Sequence, residues 1–307
     1  MSVNNFAPER SGIDPDIPDS SIALPDPQAR WLRTGKHPWT TRVLALAAFL
    51  IFWWFITTPW GWNASKPLML PLYLPSITDV WAAFIQANTI HPIAEGVDRL
   101  VVGEYGYYLW QHLLATLERI GIGLFFAILV GIPTGLLMAN IKFIGVAVEP
   151  YINFLRSLPP LGYIGLLIVW FGIGNTSKIW LLFLAAFPPI TIATIAGIRG
   201  IREDQIHAAE TLGANKLQVV TNVTVPAIAP ELITGIRVAL GFAWTTVVAA
   251  ELNNGIPGIG GLAYLSGTEL RTPLTITCII VIGVVAIVLD SGIKALERLV
   301  SPWRGKA

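Results

Sequence analysis

Charge is scarce in this 307-residue sequence, and cysteine is almost absent. Only 13% of residues are charged, and 20 basic against 19 acidic residues leave a formal net charge of +1. That balance supplies no basic field for nucleic acid, and no zinc-finger, phosphate-loop or dinucleotide spacing is present. The single cysteine, Cys278, sits in an apolar run, which excludes both a disulfide framework and a thiolate metal site. Four dispersed histidines, His37, His91, His112 and His207, show no metal-ligand spacing. Without a Walker lysine, a Gly-x-Ser-x-Gly elbow or an acid pair of readable geometry, the sequence offers no catalytic constellation.

Apolar length is what the chain has instead. Hydrophobic residues make up 54% of it and the mean hydropathy is +0.63, outside the usual soluble range. Crossing a bilayer takes ~20 largely apolar residues at 1.5 Å rise each. Uncharged runs extend over Val43–Ser65, Ile120–Ile141, Ser157–Ser177, Ile179–Ile198, Val238–Ala250 and Pro273–Leu289. The fifth is short, but a helix opening near Pro226, with Glu231 and Arg237 inside it, reaches spanning length. The weak dyad alternation of a membrane barrel is missing, so the expected fold is an all-α integral membrane protein with six transmembrane helices.

Basic residues orient these spans. Arg30, Arg33, Lys36 and Arg42 precede the first, Arg199, Arg202 and Lys216 follow the fourth, and Lys294, Arg298, Arg304 and Lys306 follow the sixth. Those regions share a side, which the positive-inside rule makes cytoplasmic, together with both termini. Residues 1–41, rich in Pro, Asp and Ser and without an early apolar segment, read as a flexible cytoplasmic tail. Residues 42–304 then form the transmembrane domain and 305–307 a cytoplasmic end.

Several positions inside the spans call for a chemical reading. Pro159-Pro160 must interrupt the third span, as a structural kink or as part of a solute pathway. Arg156 lies three residues before that pair, where a charge needs snorkelling or a partner; Glu149, Glu231 and Arg237 are considered, and contact with an anionic solute is the other reading. Arg119 and Lys142 bracket the second span as interface anchors. In the fifth span Trp244, Thr245 and Thr246 could donate to an oxyanion, or pack and bond locally. Glu251 follows at the outer end, before the glycine-rich GIPGIGG at 255–261, which is expected to approach other backbone closely. Gly131, Gly135, Gly235 and Gly241 are expected at close helix contacts.

Between the fourth and fifth spans lies a polar island, HAAETLGANKLQVVTNVTVPA, at 207–227. Read as a helix, it aligns Ile206, Ala209, Gly213 and Leu217 on one stripe. A glycine inside a helix costs roughly 1 kcal/mol against alanine, so Gly213 is expected to serve a close approach. The helix either lies in the membrane interface or docks into a groove on a soluble partner.

This segment resembles the cytoplasmic signature loop of membrane subunits of bacterial ABC importers: EAA, three residues, Gly, nine residues, then IxLP. Here His207-Ala208-Ala209 is followed after three residues by Gly213 and after nine more by Val223-Thr224-Val225-Pro226. His207 replaces the glutamate. Further blocks extend the likeness over residues 43–304: QHLLATLERIGIGL (111–124), FLRSLPPLG (154–162), WFGIGNTSK (170–178), AAELNNGIPGIGGL (249–262) and PWRG (302–305). They are most similar to the branch importing taurine, alkanesulfonates, nitrate or bicarbonate, and most like its taurine permeases.

The resemblance implies a type I ABC importer permease fold in the bacterial inner membrane, with a cytoplasmic coupling helix. His207, Ala208, Ala209, Glu210, Gly213 and Pro226 would form the ATPase-coupling segment, and a bulky residue at Gly213 would clash there. Arg156, Pro159, Pro160, Trp244, Thr245, Thr246 and Glu251 are the candidate translocation path. The implied partners are a second copy of the chain, two ATP-binding subunits, a periplasmic substrate-binding protein, membrane lipid and a small anionic solute. No cofactor is expected on this chain, with ATP and Mg2+ on the ATPase subunits. The alternatives are a nitrate or bicarbonate permease, or an ion-coupled secondary transporter.

Overall fold

The computed structural model describes residues 38–59, 67–92 and 98–301. The expected tail before residue 38, the 302–305 block and the 305–307 end lie outside the described residues. The described residues up to Phe55 and those from Ile56 onward form two compact units. Helix α1 (Pro38–Thr57) is a 20-residue apolar helix of spanning length.

The second unit begins its regular structure with α2 (Ile77–Gln86), whose first turn is closed by a capping box. The Ser76 hydroxyl accepts from Asp79 N–H, and the Asp79 carboxylate accepts from Ser76 N–H, each at 3.2 Å. In an otherwise helical chain one short hairpin follows: β1 (Ile90–Pro92) and β2 (Leu100–Val102) pair antiparallel with Ile90 opposite Val102. Then come α3 (Leu109–Asn140), α4 (Lys142–Ser157), a 3-10 turn (Pro160–Tyr163), α5 (Ile164–Phe171) and α6 (Asn175–Arg199). After these, α7 (Glu203–Thr211), α8 (Lys216–Val219) and a π turn (Val220–Thr224) lead into α9 (Val225–Ala250), α10 (Ile259–Thr268) and α11 (Thr272–Val300).

Glycines set the central packing. A Cβ on Gly123 would stand 2.6 Å from Leu182 Cβ, one on Gly131 3.1 Å from Ile190 Cγ2, and one on Gly135 2.6 Å from Thr194 Cβ. Contacts that ascend together along both helices make α3 and α6 parallel. Gly197 meets Ile228 and Gly235 meets Ala193, so α9 packs antiparallel on α6. Between the three helices lie Ala127, Ala186, Ile190 and Ala239, then Ile120, Leu182, Leu240, Ala243 and Val247. Small side chains bring the backbones close, which is how helices gain dispersion energy where lipid removes the hydrophobic drive. Gly241, expected at such a contact, has no neighbour there among the described residues.

The parallel arrangement dictates what lies between α3 and α6: residues 141–174 must carry the chain back. They do so through a bent pair, broken at Pro159-Pro160 as the sequence indicates but reaching back to Lys142, well before the uncharged run at Ser157. Segments Lys142–Ser157 and Pro160–Phe171 meet at 99°. Leu158 and Pro159 each precede a proline and take extended conformations, ψ 128° and 126°, because the following ring crowds the helical region. Among the described residues five helices are long and apolar enough to cross a membrane alone, or six if the bent pair counts as one span.

Two ends result. The β-hairpin, α2, α10 and the first turn of α3 share one, around Ala87, Leu109, Ile259, Leu262, Leu274 and Cys278. The elbow of α7, α8 and the π turn marks the other. If the α3–α6 seam is the close contact described, Gly135→Ala should lower stability by about 1–3 kcal/mol through overpacking on Thr194 and Thr191. Gly283→Ala, whose Cβ would meet nothing within 4 Å, should be neutral or gain up to ~1 kcal/mol of helix propensity. Thermal unfolding of the purified protein compares the two, and equal behaviour would contradict the seam.

Candidate functional site

Polar residues gather at the hairpin end. On α3, His112, Thr116 and Arg119 follow one another by four and three positions and so share a face. Arg119 is 3% exposed and Glu251, just past α9, is 1% exposed. The Arg119 Nη1 group pairs with the Glu251 carboxylate, Nε donates to Asn175 Oδ1 at 2.9 Å, and Nη2 donates to Pro257 O at 2.6 Å. One cation thus ties α3 to the start of α6 and to the loop after α9.

The carboxylate is equally occupied. Thr116 Oγ1 donates to Glu251 Oε1 at 2.8 Å and Gly260 N–H donates to Oε2 at 2.8 Å. Thr116 in turn accepts from Ile259 N–H at 3.0 Å. His112 Nδ1 accepts from Gly258 N–H at 3.1 Å, which leaves its Nε2–H to donate to Glu104 O at 3.0 Å. From α6, Lys178 Nζ donates to Asn254 O at 2.6 Å. The glycines of 255–261 are required by this crowding: a Cβ on Gly258 would stand 2.6 Å from Glu251 Cδ, and one on Gly260 2.8 Å from Val248 Cα.

Arg119 is therefore not an interface anchor, and its partner Glu251 is committed to holding the loop. Pairing across 132 residues leaves no local trace, although the 112/116/119 spacing was readable. His112, Thr116, Asn175 and Lys178 were not singled out in the sequence for this role. Around the rim, Arg271 donates to both Glu104 carboxylate oxygens at 2.7 and 2.6 Å, and those bonds raise the guanidinium pKa further. Tyr105 donates to Glu269 at 2.5 Å; burial first, then that bond, pushes its hydroxyl up to about 12.

The other candidates do not converge. Trp244 is buried among Ile120, Leu182 and Leu240, its indole N–H without a partner among the described residues. Thr246 is buried as well, while Thr245 is exposed and donates back to Phe242 O at 3.0 Å. The three thus do not form one patch. Pro159 and Pro160 form the break between α4 and α5, and Arg156 lies exposed in the last turn of α4, unpaired among the described residues. Arg237 pairs instead with Asp290 at 2.9 Å on α11.

At the elbow, residues 207–217 are not one helix. Helix α7 ends at Thr211, Gly213 has φ +86°, and Asn215 caps α8 by accepting from Gln218 N–H at 2.9 Å. Gly213 is needed for its left-handed backbone; a Cβ there would meet nothing within 4 Å. His207 bonds Glu210 at 3.3 Å in the open, and Ala208 and Leu212 are exposed beside it, with Ala209 half-buried. Pro226 is the second residue of α9; without an N–H and with its ring crowding the carbonyl four residues back, it follows the wider π turn.

Residues 131–302 match the family of binding-protein-dependent transport system inner membrane components. The taurine transport system permease protein TauC of Escherichia coli is 36% identical over 280 residues, 90% of this chain and 94% of that protein. The nitrate import permease protein NrtB of Synechococcus elongatus is 30% identical, covering 93% of this chain and 97% of its own length. An inward-facing structure of the MetNI methionine ABC transporter aligns with TM-score 0.54 at 22% identity, over 62% of this chain and 95% of that one, a likeness of fold.

Removing one member of the buried pair strands the other. Arg119→Gln or Glu251→Gln should each destabilise by about 3–5 kcal/mol, and the double variant by clearly less than their sum. Thermal unfolding of all four proteins closes the cycle. Strict additivity would show that the two side chains are not coupled.

Proposed function

This chain belongs to the family of binding-protein-dependent transport system inner membrane components, and from that premise we propose that it imports taurine or a related alkanesulfonate. In this reading it is a permease subunit without catalysis of its own. Two copies assemble with two ATP-binding subunits, which hold ATP and Mg2+, and receive solute from a periplasmic binding protein. The observation that carries the reading is the similarity to the taurine permease over nine-tenths of the chain, 36% identical with 94% of that protein covered. The nitrate permease likeness supports nitrate as the second substrate reading.

Charge distribution supports the orientation. Lys142, Arg156, Arg199, Arg202, Lys216 and Arg298 lie on segments at the elbow end, whereas at the hairpin end Arg119 and Lys178 are buried and bonded, Arg271 is paired with Glu104, and Arg99 lies exposed. The elbow then faces the cytoplasm and the hairpin end faces the binding protein. Residues 42–304 serve as the transport domain between the two termini, both cytoplasmic.

Coupling falls to His207, Ala208, Ala209, Glu210 and Gly213, with Pro226 at the base of α9. The exposed Leu212, 89% accessible, and Leu217, 72%, flank the Gly213 turn as the apolar contacts a cleft on the ATPase would cover. Alternating access then requires only that the solute-bound and ATP-bound complexes favour different arrangements of the same helices. In this reading Pro159 and Pro160 at the bend, and Thr245 with its exposed hydroxyl on α9, border the solute path.

Proteoliposomes holding the complete complex, the binding protein and labelled taurine should accumulate taurine only with ATP. Uptake without ATP would return the protein to the ion-coupled class, and ATP-driven uptake of nitrate alone would replace the substrate. In the same assay Gly213→Ala should impair coupling although alanine is small, because a left-handed backbone costs an L-residue about 1–2 kcal/mol. Gly213→Asn should be milder, since asparagine visits that region more readily. An alanine variant that retains ATPase subunits and couples normally would remove the turn from the docking surface.

A further inference from the structure

Helix α4 carries two unlike stripes. Lys142, Gly145, Val146, Glu149, Ile152, Asn153 and Arg156 recur at helical spacing and border a cleft of about 530 Å3. Its opposite wall is formed by Met138, Ala139 and Asn140 at the end of α3 and by Ile192, Ile195, Ala196 and Arg199 at the end of α6. Three cations thus face one carboxylate, and none of the four is paired among the described residues. The second stripe, Phe143, Ala147, Tyr151 and Phe154, is exposed and apolar apart from the tyrosine hydroxyl.

We propose that this cleft binds the phosphate of an anionic phospholipid, with its acyl chains along the Phe143–Phe154 face of α4. The cleft lies at the elbow ends of two spanning helices, where a headgroup meets the protein. Arg156 and Arg199 reach it from different helices, so one phosphate can bridge α4 to α6 as no protein contact between charged groups does there. Guanidinium forks suit phosphate oxygens, and Lys142 adds a third positive charge. Cationic clefts between spanning helices and aromatic amphipathic helices at the interface both have this affinity. Glu149 offsets one of the three cations and leaves a net of two positive charges, enough to hold a single phosphodiester anion.

The proposal needs a membrane and a charged headgroup, and it holds whichever solute the protein carries. The permease–ATPase complex is reconstituted in phosphatidylcholine nanodiscs doped with phosphatidylglycerol, then released gently for native mass spectrometry of retained lipid. Phosphatidylglycerol should be retained over phosphatidylcholine. Arg156→Gln and Arg199→Gln should each weaken retention about fivefold, and Glu149→Gln should strengthen it by a similar factor. All three side chains are exposed, and Glu149→Gln tests the cleft by a gain even if a loss of retention elsewhere came from poor folding. Equal retention of both lipids, or arginine variants that keep phosphatidylglycerol, would overturn the proposal. So would displacement of the lipid by millimolar inorganic phosphate or taurine, which would make the cleft a site for free anions.

Discussion

Inside a bilayer, a buried polar group that finds no partner is expensive, and a buried charge more so. The Arg119–Glu251 pair meets that constraint by recruiting almost everything around it. Its guanidinium engages a carboxylate, an amide oxygen and a backbone carbonyl, while the carboxylate takes a hydroxyl and a backbone N–H. Such a pair need not add net stability over an apolar core. What it adds is specification: α3, α6 and the loop after α9 satisfy these groups in one register.

The helix packing follows from the same economy of space. Gly123, Gly131 and Gly135 let α3 lie along α6 closely enough for Arg119 to reach Asn175, and the resulting parallel alignment obliges residues 141–174 to return. The return is broken by Pro159 and Pro160, and the breakage leaves α4 beside the elbow ends of α3 and α6. Helices with tightly meshed small residues and a satisfied polar hub form the stiff part of the molecule. Segments with exposed charge and few buried residues, α4 and α7 above all, lie outside it.

How much of this was legible depends on whether the cause was local. Spans followed from apolar length, and the break followed from two prolines, because both effects act within a few residues. Helix ends were less readable: α3 begins at Leu109, well before the uncharged run at Ile120, because a buried pair hides Arg119 from lipid. Gly213 was read as a packing glycine since composition alone cannot separate a helical glycine from one with φ +86°. Trp244, Thr245 and Thr246 are adjacent in sequence, yet helical rotation buries two and exposes the middle one. The cleft at Arg156 needed Arg199 from another helix, which no pattern in one segment supplies.

The elbow and the polar hub are mechanically joined. From Lys216 to Ala250 the chain is helical throughout, 35 residues that pass through the π turn without a gap. At 1.5 Å per residue this strut is about 50 Å long. Its first turn is held by the Asn215 cap next to Gly213, and Glu251 follows directly on its last. Displacement of the exposed Leu212–Leu217 turn therefore acts on an element whose far end is fixed by Arg119. The π turn just before Pro226, with Pro230 four residues further on, interrupts regular hydrogen bonding along it, and so is the natural place for it to flex. A force delivered at the elbow has either to bend that turn or to move the strut against α6, along the contacts of Gly197 with Ile228 and Gly235 with Ala193. That seam is close-packed and the far end is held by Arg119, so the π turn is the least constrained part of the strut.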